Sequence, residues 1–296
     1  MFRKLLLALV LAAAPAFADP VIVDSFDGPV EVEANPATVA VFDLDALDTL
    51  GALGVKPQGV PSPIYLSWLA KEVDGAQVVG SLFEPDLEAI AVLGPDLIVA
   101  GGRSQKAVPT LAGMAPTVDM SIWNDAVGEG LARLDAYGAI FGKEARAAEL
   151  RAAFAAKLDA ARAAVAGKGR ALIVMTNGPK VSAYGAAGRF GWLHSALDLP
   201  EVNANVEQTT HGQAISFEFI NEVNPEILIV VDRLSAIGQD GESAWATLDN
   251  PLVRDTQAWK SGQVVFVDSG ALYLAGGGIR SMSLILDQFI DAFGTE

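Results

Sequence analysis

The stretch Glu88-Ala-Ile-Ala-Val-Leu-Gly-Pro95-Asp-Leu-Ile-Val-Ala-Gly-Gly-Arg103 has a counterpart in Glu218-Phe-Ile-Asn-Glu-Val-Asn-Pro225-Glu-Ile-Leu-Ile-Val-Val-Asp-Arg233. In both copies the proline follows the glutamate by 7 positions and precedes the arginine by 8. Each copy is typical of a helix end, a proline turn and a buried strand, with the arginine just beyond the strand. In open α/β sheets ligands bind at that end of the strands. The repeat therefore predicts two similar α/β lobes, with Arg103 and Arg233 facing one anion-binding cleft.

Strand and helix patterns alternate through the rest of the chain. Such alternation predicts central parallel sheets covered by helices on both faces. A weak alternation over 21–32 also predicts a short hairpin. We predict strands at 38–42, 78–80, 97–100, 117–120, 171–175, 227–231 and 264–267, and helices at 45–53, 87–93, 125–141, 188–197, 217–223 and 279–293.

One long helix is predicted to join the two lobes. The alanine-rich segment 143–166 places its larger apolar residues on one helical face and its charges on the other. Its length, roughly 36 Å at about 1.5 Å per residue, is enough to cross between lobes. We therefore expect an N-terminal lobe over 19–142, a linking helix over 143–168 and a C-terminal lobe over 169–296. A single rigid connector predicts small movements on ligand binding.

The N-terminus has the pattern of an export signal. Two basic residues precede a short apolar run, and the sequence Ala16-Phe17-Ala18 is typical of a signal-peptidase site. We expect residues 1–18 to be removed, so that the mature chain begins at Asp19. The chain contains no cysteine, which excludes a lipid-anchored cysteine. A soluble periplasmic protein is the simplest interpretation.

Composition narrows the function classes. A chain of 296 residues with 51% hydrophobic and 19% charged residues is long and apolar enough for two folded domains. The formal net charge of −16 argues against nucleic-acid binding, which needs basic patches. The lack of cysteine also excludes disulfides and thiolate metal sites. In a protein with this net negative charge, arginines at strand ends are expected to bind a ligand at that place and not to create a basic surface.

Three further residues lie in segments that could face the cleft. Arg189 is in a glycine-rich loop, His211 follows two threonines, and Tyr273 precedes the last predicted helix. Each also has an ordinary interpretation: Arg189 as a surface charge, Tyr273 as a core aromatic. His194 lies inside a predicted helix beside leucines, so we expect it to be a packing residue.

These residue types suit a particular cargo. Three guanidinium groups in one cleft fit a compact anion of charge near −3, because each offers a rigid fork of donors and stays charged. Imidazole and phenolate are both ligands of ferric iron. His211 and Tyr273 could therefore complete the iron shell left open by an incomplete chelator.

Two sets of residues resemble the periplasmic binding proteins of iron–siderophore ABC importers over the whole mature chain. The first set is Gly80-x-x-x-x-Pro85-x-x-Glu88 with Leu93-Gly-Pro-Asp-Leu-Ile, and the matching unit Glu218 to Pro225. The resemblance implies two lobes linked by one helix and docking on a membrane permease through Glu88 and Glu218. The alternative is that these glutamates are ordinary surface carboxylates.

The second set concerns the cargo. The arginines at 103, 189 and 233, with His211 and Tyr273, resemble in order and spacing the cleft residues of catecholate-siderophore receptors. The resemblance implies that the three arginines bind a ferric catecholate siderophore and that His211 and Tyr273 are possible direct Fe(III) ligands. It implies no intrinsic cofactor, iron carried only as cargo, and a monomer.

Other functions remain open at this point. Receptors of the same fold bind haem, cobalamin or hydroxamate siderophores, and four tryptophans could supply an apolar platform for such cargo. A zinc or manganese receptor needs more histidines than the 2 in this chain. A periplasmic hydrolase is the alternative from another class, but the sequence has no Gly-x-Ser-x-Gly, Gly-x-x-x-x-Gly-Lys or His-Glu-x-x-His motif. We therefore predict a binding protein and not an enzyme.

Overall fold

The computed structural model describes residues 20–202, 206 and 211–294. The predicted signal peptide over 1–18 lies outside the described residues. The first half consists of β1 (Val21–Ser25), β2 (Gly28–Val32), β3 (Val39–Val41), α1 (Leu44–Ala52), β4 (Gly59–Val60), α2 (Ser67–Glu72), β5 (Gln77–Val78), α3 (Leu87–Leu93), β6 (Leu97–Ala100), the 3₁₀ helix Gly102–Ala107, α4 (Val108–Leu111), β7 (Thr117–Asp119), α5 (Ala126–Ile140) and α6 (Glu144–Val165).

The second half repeats this alternation with more short helices. It consists of β8 (Ala171–Asn177), β9 (Lys180–Tyr184), α7 (Trp192–Ala196), β10 (Gln213–Ile215), α8 (Phe217–Val223), β11 (Ile227–Asp232), α9 (Arg233–Ala236), α10 (Ala244–Leu248), α11 (Pro251–Arg254), α12 (Gln257–Lys260), β12 (Val264–Phe266), α13 (Ser269–Leu274) and α14 (Ile279–Phe293).

The first lobe is built on a wholly parallel sheet. Its strand order is β5-β4-β3-β6-β7, and every pair of neighbours is parallel. The interior strand β6 is fully buried, as expected for a strand covered on both faces. The predicted hairpin forms as β1 and β2, an antiparallel pair outside this sheet.

The second sheet corrects the expectation of two parallel sheets. Its order is β10-β9-β8-β11-β12, in which β8, β11 and β12 are parallel but β9 is antiparallel to both of its neighbours. The cause is a tight turn at Gly178, whose φ of +58° reverses the chain directly after Asn177. Asn-Gly is a strong hairpin signal that our sequence interpretation did not use. The two-lobed α/β fold is confirmed, with one parallel and one mixed sheet.

The internal repeat forms the same local structure twice. The helices α3 and α8 have the predicted bounds and are followed by the buried strands β6 and β11. Asp86 caps the first helix and Ser216 the second, each by accepting hydrogen bonds from backbone N–H groups of the first turn. Both helices end in a left-handed residue, Gly94 or Asn224, which turns the chain into the strand.

The long helix α6 connects the two sheets in the chain and packs against α14 and α5. It buries Phe154, Ala161 and Val165 on one face, as its apolar pattern predicts. Lys157 on its outer side forms an ion pair of 2.6 Å with Asp287 of α14. The last helix of the chain therefore lies along the linking helix. In the described part of the chain, no helix is both long and apolar enough to span a membrane.

Two carboxylates of α1 hold the start of α14. Oδ2 of Asp48 accepts hydrogen bonds from the backbone N–H groups of Arg280 (2.8 Å) and Ser281 (3.0 Å). Oδ1 of Asp45 accepts from the N–H of Gly277 (2.8 Å). The side chain of Arg280 also pairs with Asp48 at 3.2 Å. Helix N-termini carry unsatisfied N–H groups and a partial positive charge, so these contacts join the last helix to the first lobe.

The glycine run before α14 permits this approach. A Cβ atom at Gly278 would lie 2.5 Å from Oδ2 of Asp48, and one at Gly277 would lie 2.5 Å from the side chain of Ile122. For residues 276–278 the sequence favours a helix start or a close backbone approach to the ligand. The helix start is confirmed, whereas the group that Gly278 approaches is a carboxylate of the protein and not a ligand.

We expect Asp48→Ala to lower the free energy of unfolding by about 3 kcal/mol, the lower end of the range for breaking a buried ion pair. Asp48 is fully buried, and its removal leaves the N–H groups of Arg280 and Ser281 without their acceptor. Glu72, which also binds Arg280 (2.9 Å), limits the loss.

The measurement is equilibrium unfolding in urea. The matched control is Asp135→Ala, which breaks an exposed ion pair with Arg151 and should cost less than about 1 kcal/mol. Equal losses in the two variants would show that Asp48 does not hold α14.

A candidate anion-binding cleft between the lobes

The three predicted arginines converge on Tyr273. The Cζ atoms of Arg189, Arg103 and Arg233 lie 4.1, 5.4 and 6.0 Å from the centroid of its ring. Arg103 belongs to the first lobe, whereas the other three residues belong to the second. The structure therefore brings these four predicted residues together, and the contact of Arg103 with Tyr273 crosses between the lobes.

The local fold explains the positions of the two repeat arginines. Arg103 lies in the first turn of the 3₁₀ helix directly after β6, and Arg233 is the first residue of α9, directly after β11. Both therefore stand at the carboxyl end of a central strand, as the repeat predicts. Arg189 arrives differently, from the loop that follows the antiparallel strand β9.

Tyr273 offers these arginines three kinds of contact. Its carbonyl oxygen accepts from Nη2 of Arg103 (2.8 Å) and Nη2 of Arg189 (2.6 Å). Its hydroxyl accepts from Nε of Arg233 (3.3 Å), and its ring attracts the guanidiniums through its π face. Tyr273 lies in the short helix α13, which was not predicted from the sequence. The carbonyls at a helix C-terminus lack intrahelical partners and carry partial negative charge, so they suit cations.

Burial and neighbouring charge change the acidities in this cluster. Burial lowers the pKa of Arg189, and the charge of Arg103 lowers it further. Burial raises the pKa of Tyr273, but the hydrogen bond from Arg233 and the charges of the three arginines outweigh this and lower the pKa overall. Tyr184 behaves oppositely, since burial raises its pKa to about 12.

His211 lies beside the cluster, although the structure does not bring its imidazole into it. The side chain is exposed, and its backbone carbonyl accepts from the hydroxyl of Tyr184 (3.0 Å). In the described segments no contact joins the imidazole to the arginines or Tyr273. Residues 207–210, which precede His211, are outside the described part. His194 is buried and bonds the carbonyl of Leu199 (2.9 Å), as expected for a packing residue.

A cavity of about 420 Å³ opens beside the arginines. Its lining includes Arg103, Arg189, Tyr273 and the indoles of Trp123 and Trp192. A cavity lined by aromatic side chains and a few charged groups is typical of small-molecule sites. In the described residues, no group of three or more His, Cys, Asp or Glu side chains is arranged to hold a metal ion.

A second cavity of about 460 Å³ is lined by the other two of the four tryptophans that were considered as an apolar platform. Trp68 and Trp245 line it together with Tyr65 and Phe266. The tryptophans are thus divided between two cavities and do not form one broad surface.

Several residues of the cleft were not predicted from the sequence. Asn177 accepts from Nη1 of Arg233 (3.2 Å), and it could have been found because it ends β8. Asp45 lines the first cavity, and it lies four residues beyond the end of β3, in the first turn of α1. Tyr184 and Trp123 had no such signal, because the hairpin and the loop that carry them were not predicted.

Glu88 and Glu218 occupy equivalent exposed positions in the first turns of α3 and α8. The N–H of Glu218 itself and the Ser216 hydroxyl lower the pKa of Glu218. Three large apolar side chains are exposed near Glu88 in the chain: Phe83 (68% exposed), Leu87 and Val92 (77% exposed).

The fold and cleft are those of a two-lobed binding protein, and comparison identifies the family. The sequence model of the periplasmic binding protein family matches residues 39–271, so the chain belongs to that family. The resemblance to the siderophore-binding branch of ABC importers is confirmed by relatives. One is the petrobactin-binding protein YclQ of Bacillus subtilis, 33% identical over 88% of this chain and 84% of the relative.

Other relatives are similar over comparable lengths. The ferric-anguibactin-binding protein FatB of Vibrio anguillarum is 30% identical over 93% of this chain and 88% of its own. The crystal structure of YclQ matches with a TM-score of 0.88 at 30% identity, covering 94% of this chain and all of that one. The periplasmic catecholate-siderophore binding protein VctP of Vibrio cholerae matches with a TM-score of 0.86 at 28% identity, covering 92% and 100%.

The arrangement at Tyr273 predicts an early-ionising phenol. We expect a spectrophotometric alkaline titration to show Tyr273 ionising well before Tyr184, because three arginines stabilise its phenolate. Tyr273→Phe should remove the early phase. Arg233→Met should move that phase to higher pH, because it removes a hydrogen bond and a positive charge.

The control for this titration is Arg151→Met, which removes an arginine of α6 bound to Asp135. It should leave the early phase in place. An early phase that survives in Tyr273→Phe would contradict the assignment.

Proposed function

We propose that this chain binds a ferric siderophore of the catecholate class in the periplasm and delivers it to an ABC permease of the inner membrane. The observation that carries the proposal is the convergence of Arg103, Arg189 and Arg233 on one tyrosine between the lobes. The siderophore-binding relatives support the iron part of the proposal. The arginine trio supports the catecholate part.

The charge of the cargo follows from the arginines. Within the protein their N–H groups are bonded to carbonyl, amide and hydroxyl oxygens, all of them neutral. A ferric tris-catecholate has a charge of −3 and presents ionised oxygens around the iron. Charge-assisted hydrogen bonds to such oxygens are stronger than those to neutral acceptors. The trio would therefore exchange its internal acceptors for the chelate at a gain.

A tris-catecholate fills all six positions on iron, so Tyr273 and His211 are proposed as direct ligands of the iron only for cargo with an incomplete chelator. The lowered pKa of Tyr273 favours the phenolate, which is the form that binds Fe(III). An approaching ferric ion would lower it further. His211 lies next to the cluster through its backbone contact with Tyr184, and its exposed imidazole would have to turn towards the iron. This pair would serve a chelator that leaves two coordination positions open.

The location is proposed from the sequence. Export by the predicted signal peptide and the lack of any cysteine favour a soluble periplasmic protein over a lipid-anchored one. We propose that it acts as a monomer and has no partner other than cargo and permease.

The test is quenching of tryptophan fluorescence by a panel of ferric chelates. Trp123 and Trp192 line the cavity beside the arginines, so a bound coloured chelate should quench them. Ferric catecholates should quench with saturation, whereas ferric hydroxamates, which lack the negative charge, should not. An equal response to both classes would contradict the catecholate assignment.

The same titration tests the arginines. Arg103→Ala should weaken catecholate binding by about 1.5–3 kcal/mol, the range for hydrogen bonds to charged groups, which is roughly 10- to 150-fold in Kd. Arg146→Ala is the matched control, because it removes an exposed arginine of α6 whose partner is Glu149. Unchanged affinity in the Arg103 variant would mean that this side chain does not touch the cargo.

Permease docking is proposed for Glu88 and Glu218. The repeat places them at equivalent exposed positions of the two lobes, as a pair of contacts to a two-fold symmetric permease would require. The exposed side chains of Phe83, Leu87 and Val92 near Glu88 support a protein-binding surface, since exposed apolar patches mark interaction sites.

We expect Glu88→Gln with Glu218→Gln to weaken docking roughly tenfold, about 1.4 kcal/mol, because rim charges contribute modestly. The measurement is cargo-dependent ATPase activity of the permease in proteoliposomes, titrated with the loaded binding protein. Cargo affinity should not change. Glu149→Gln, an exposed charge on α6, is the control, and equal activity in all three proteins would contradict the docking role.

A further inference from the structure

Asp45 is an acidic group in a site built for an anion. It lies in the first turn of α1, four residues beyond the carboxyl end of β3, and lines the cavity together with Arg103 and Arg189. Its Oδ1 accepts from the N–H of Gly277. Within the described ranges its Oδ2 has no hydrogen-bond partner, and neither arginine forms an ion pair with it. The arrangement leaves one carboxyl oxygen available to whatever occupies the cavity.

The charged groups around Asp45 do not compensate the negative charge of its carboxylate. Burial disfavours its charge most, the carboxylate of Asp43 adds repulsion, and Asp48 on the same helix adds more. The N–H of Gly277 and the charge of Arg103 act in the opposite direction. The net result raises the pKa of Asp45 to about 7. Further titratable groups face this region from other elements: Arg189 from the second lobe, Arg280 from α14, Asp119 at the end of β7, Asp125 at the start of α5 and Tyr137 within it.

Arg280 does not offset this imbalance. Its guanidinium is bonded to Asp48 and to Glu72, so its charge is already shared between two carboxylates. Arg103 and Arg189, whose positive charges interact with Asp45, are also the groups that the cargo would engage. Once an anion binds these arginines, their charge no longer favours the ionised form of Asp45.

We propose that Asp45 takes up a proton when a polyanionic chelate enters the cavity, so that a neutral carboxyl group faces the cargo. In that form Oδ2 can donate a hydrogen bond to an ionised oxygen of the chelate, while Oδ1 keeps its bond from Gly277. The physical cause is the burial of Asp45 together with repulsion between like charges, both of which favour the neutral acid. This inference rests on the proposed function, because it requires an anionic cargo.

The consequence is a coupling between cargo and proton. The pKa of Asp45 is near 7 without cargo and is higher with it, so the complex binds more protons than the free protein. Affinity is therefore highest at acid pH, where Asp45 is protonated in both states. It falls as pH rises above about 7, by at most tenfold per pH unit for a single proton.

A purely structural role for Asp45 makes a different prediction. If Asp45 only holds Gly277, its replacement should change stability and leave the proton balance of cargo binding unaltered. Asp45→Asn separates the two roles, because the amide oxygen can still accept from the N–H of Gly277 but the side chain cannot take up a proton.

The experiment is isothermal titration calorimetry with the ferric complex of a chelator that carries three linked catechols. Its charge is checked by its visible absorbance to be constant across the pH range. Titrations in buffers of different ionisation enthalpy give the number of protons taken up on binding. For the wild type we expect about half a proton at pH 7, rising towards one near pH 8.

Asp45→Asn should abolish this uptake, and its affinity should depend less steeply on pH. Asp125→Asn removes the same charge from an exposed position at the cavity and should keep the uptake. His211→Ala is measured as well, because a histidine can also bind a proton near neutrality. Uptake that disappears in the histidine variant and persists in Asp45→Asn overturns the proposal.

The outcomes separate this proposal from the proposed function. A wild-type protein that binds no catechol chelate overturns the proposed function and this inference together. Binding with no proton uptake by the wild type overturns this inference alone. If Asp45→Asn does not fold, the carboxyl carbon resonance of Asp45 in the wild type decides the matter. Its titration midpoint should move to higher pH when the gallium(III) form of the same chelate, which is diamagnetic and has the same charge, is added, and an unmoved midpoint overturns the proposal.

Discussion

The contact between α1 and the start of α14 is the constraint on which the two-lobed structure depends. Asp48, fully buried in the first lobe, satisfies the N–H groups of Arg280 and Ser281 and pairs with the Arg280 side chain. The two residues, Asp48 and Arg280, are 232 positions apart in the chain, so their contact fixes α14 against α1. Because α14 also packs along the linking helix α6, the lobes are held at two places. Large hinge motion would have to break a buried charge network, which favours small movement on binding.

At the cleft the rigid structure holds three positive side chains close together, and these side chains repel one another. The protein reduces their repulsion without placing an ion pair on them. The carbonyl of Tyr273 accepts from two guanidiniums, and its ring and hydroxyl contact the third. Neutral acceptors hold the arginines in position but leave their charge largely uncompensated. A cleft of this kind is prepared for an anion before the anion arrives, and less ordering has to be done on binding.

The repeat allowed much of the fold to be predicted, because periodicity and proline turns are local properties. The bounds of α3, β6, α8 and α14 agree with prediction, and so do the strand-end positions of Arg103 and Arg233. The errors arose where short elements are stabilised by tertiary contacts. The helices α9 to α13 have 4 to 6 residues, too few for a periodic pattern, and β9 to β10 depend on a hairpin that reverses one edge of a sheet. The convergence on Tyr273 likewise depends on α13, which was not predicted.

The acidic residues behind the arginines could not have been assigned from sequence, because their effect depends on distance and burial. Asp43 and Asp45 follow the end of a strand in the same way as Arg103. Their negative charges lie at the same edge of the sheet as the positive charge of Arg103. Were the carboxyl of Asp45 always ionised, it would weaken the positive potential that the arginines create in the cavity. Burial and the neighbouring carboxylate of Asp43 make its charge easy to lose. Under the proposed coupling, Asp45 is ionised beside the arginines without cargo and neutral when an anion binds, so one side chain is compatible with both forms of the cleft.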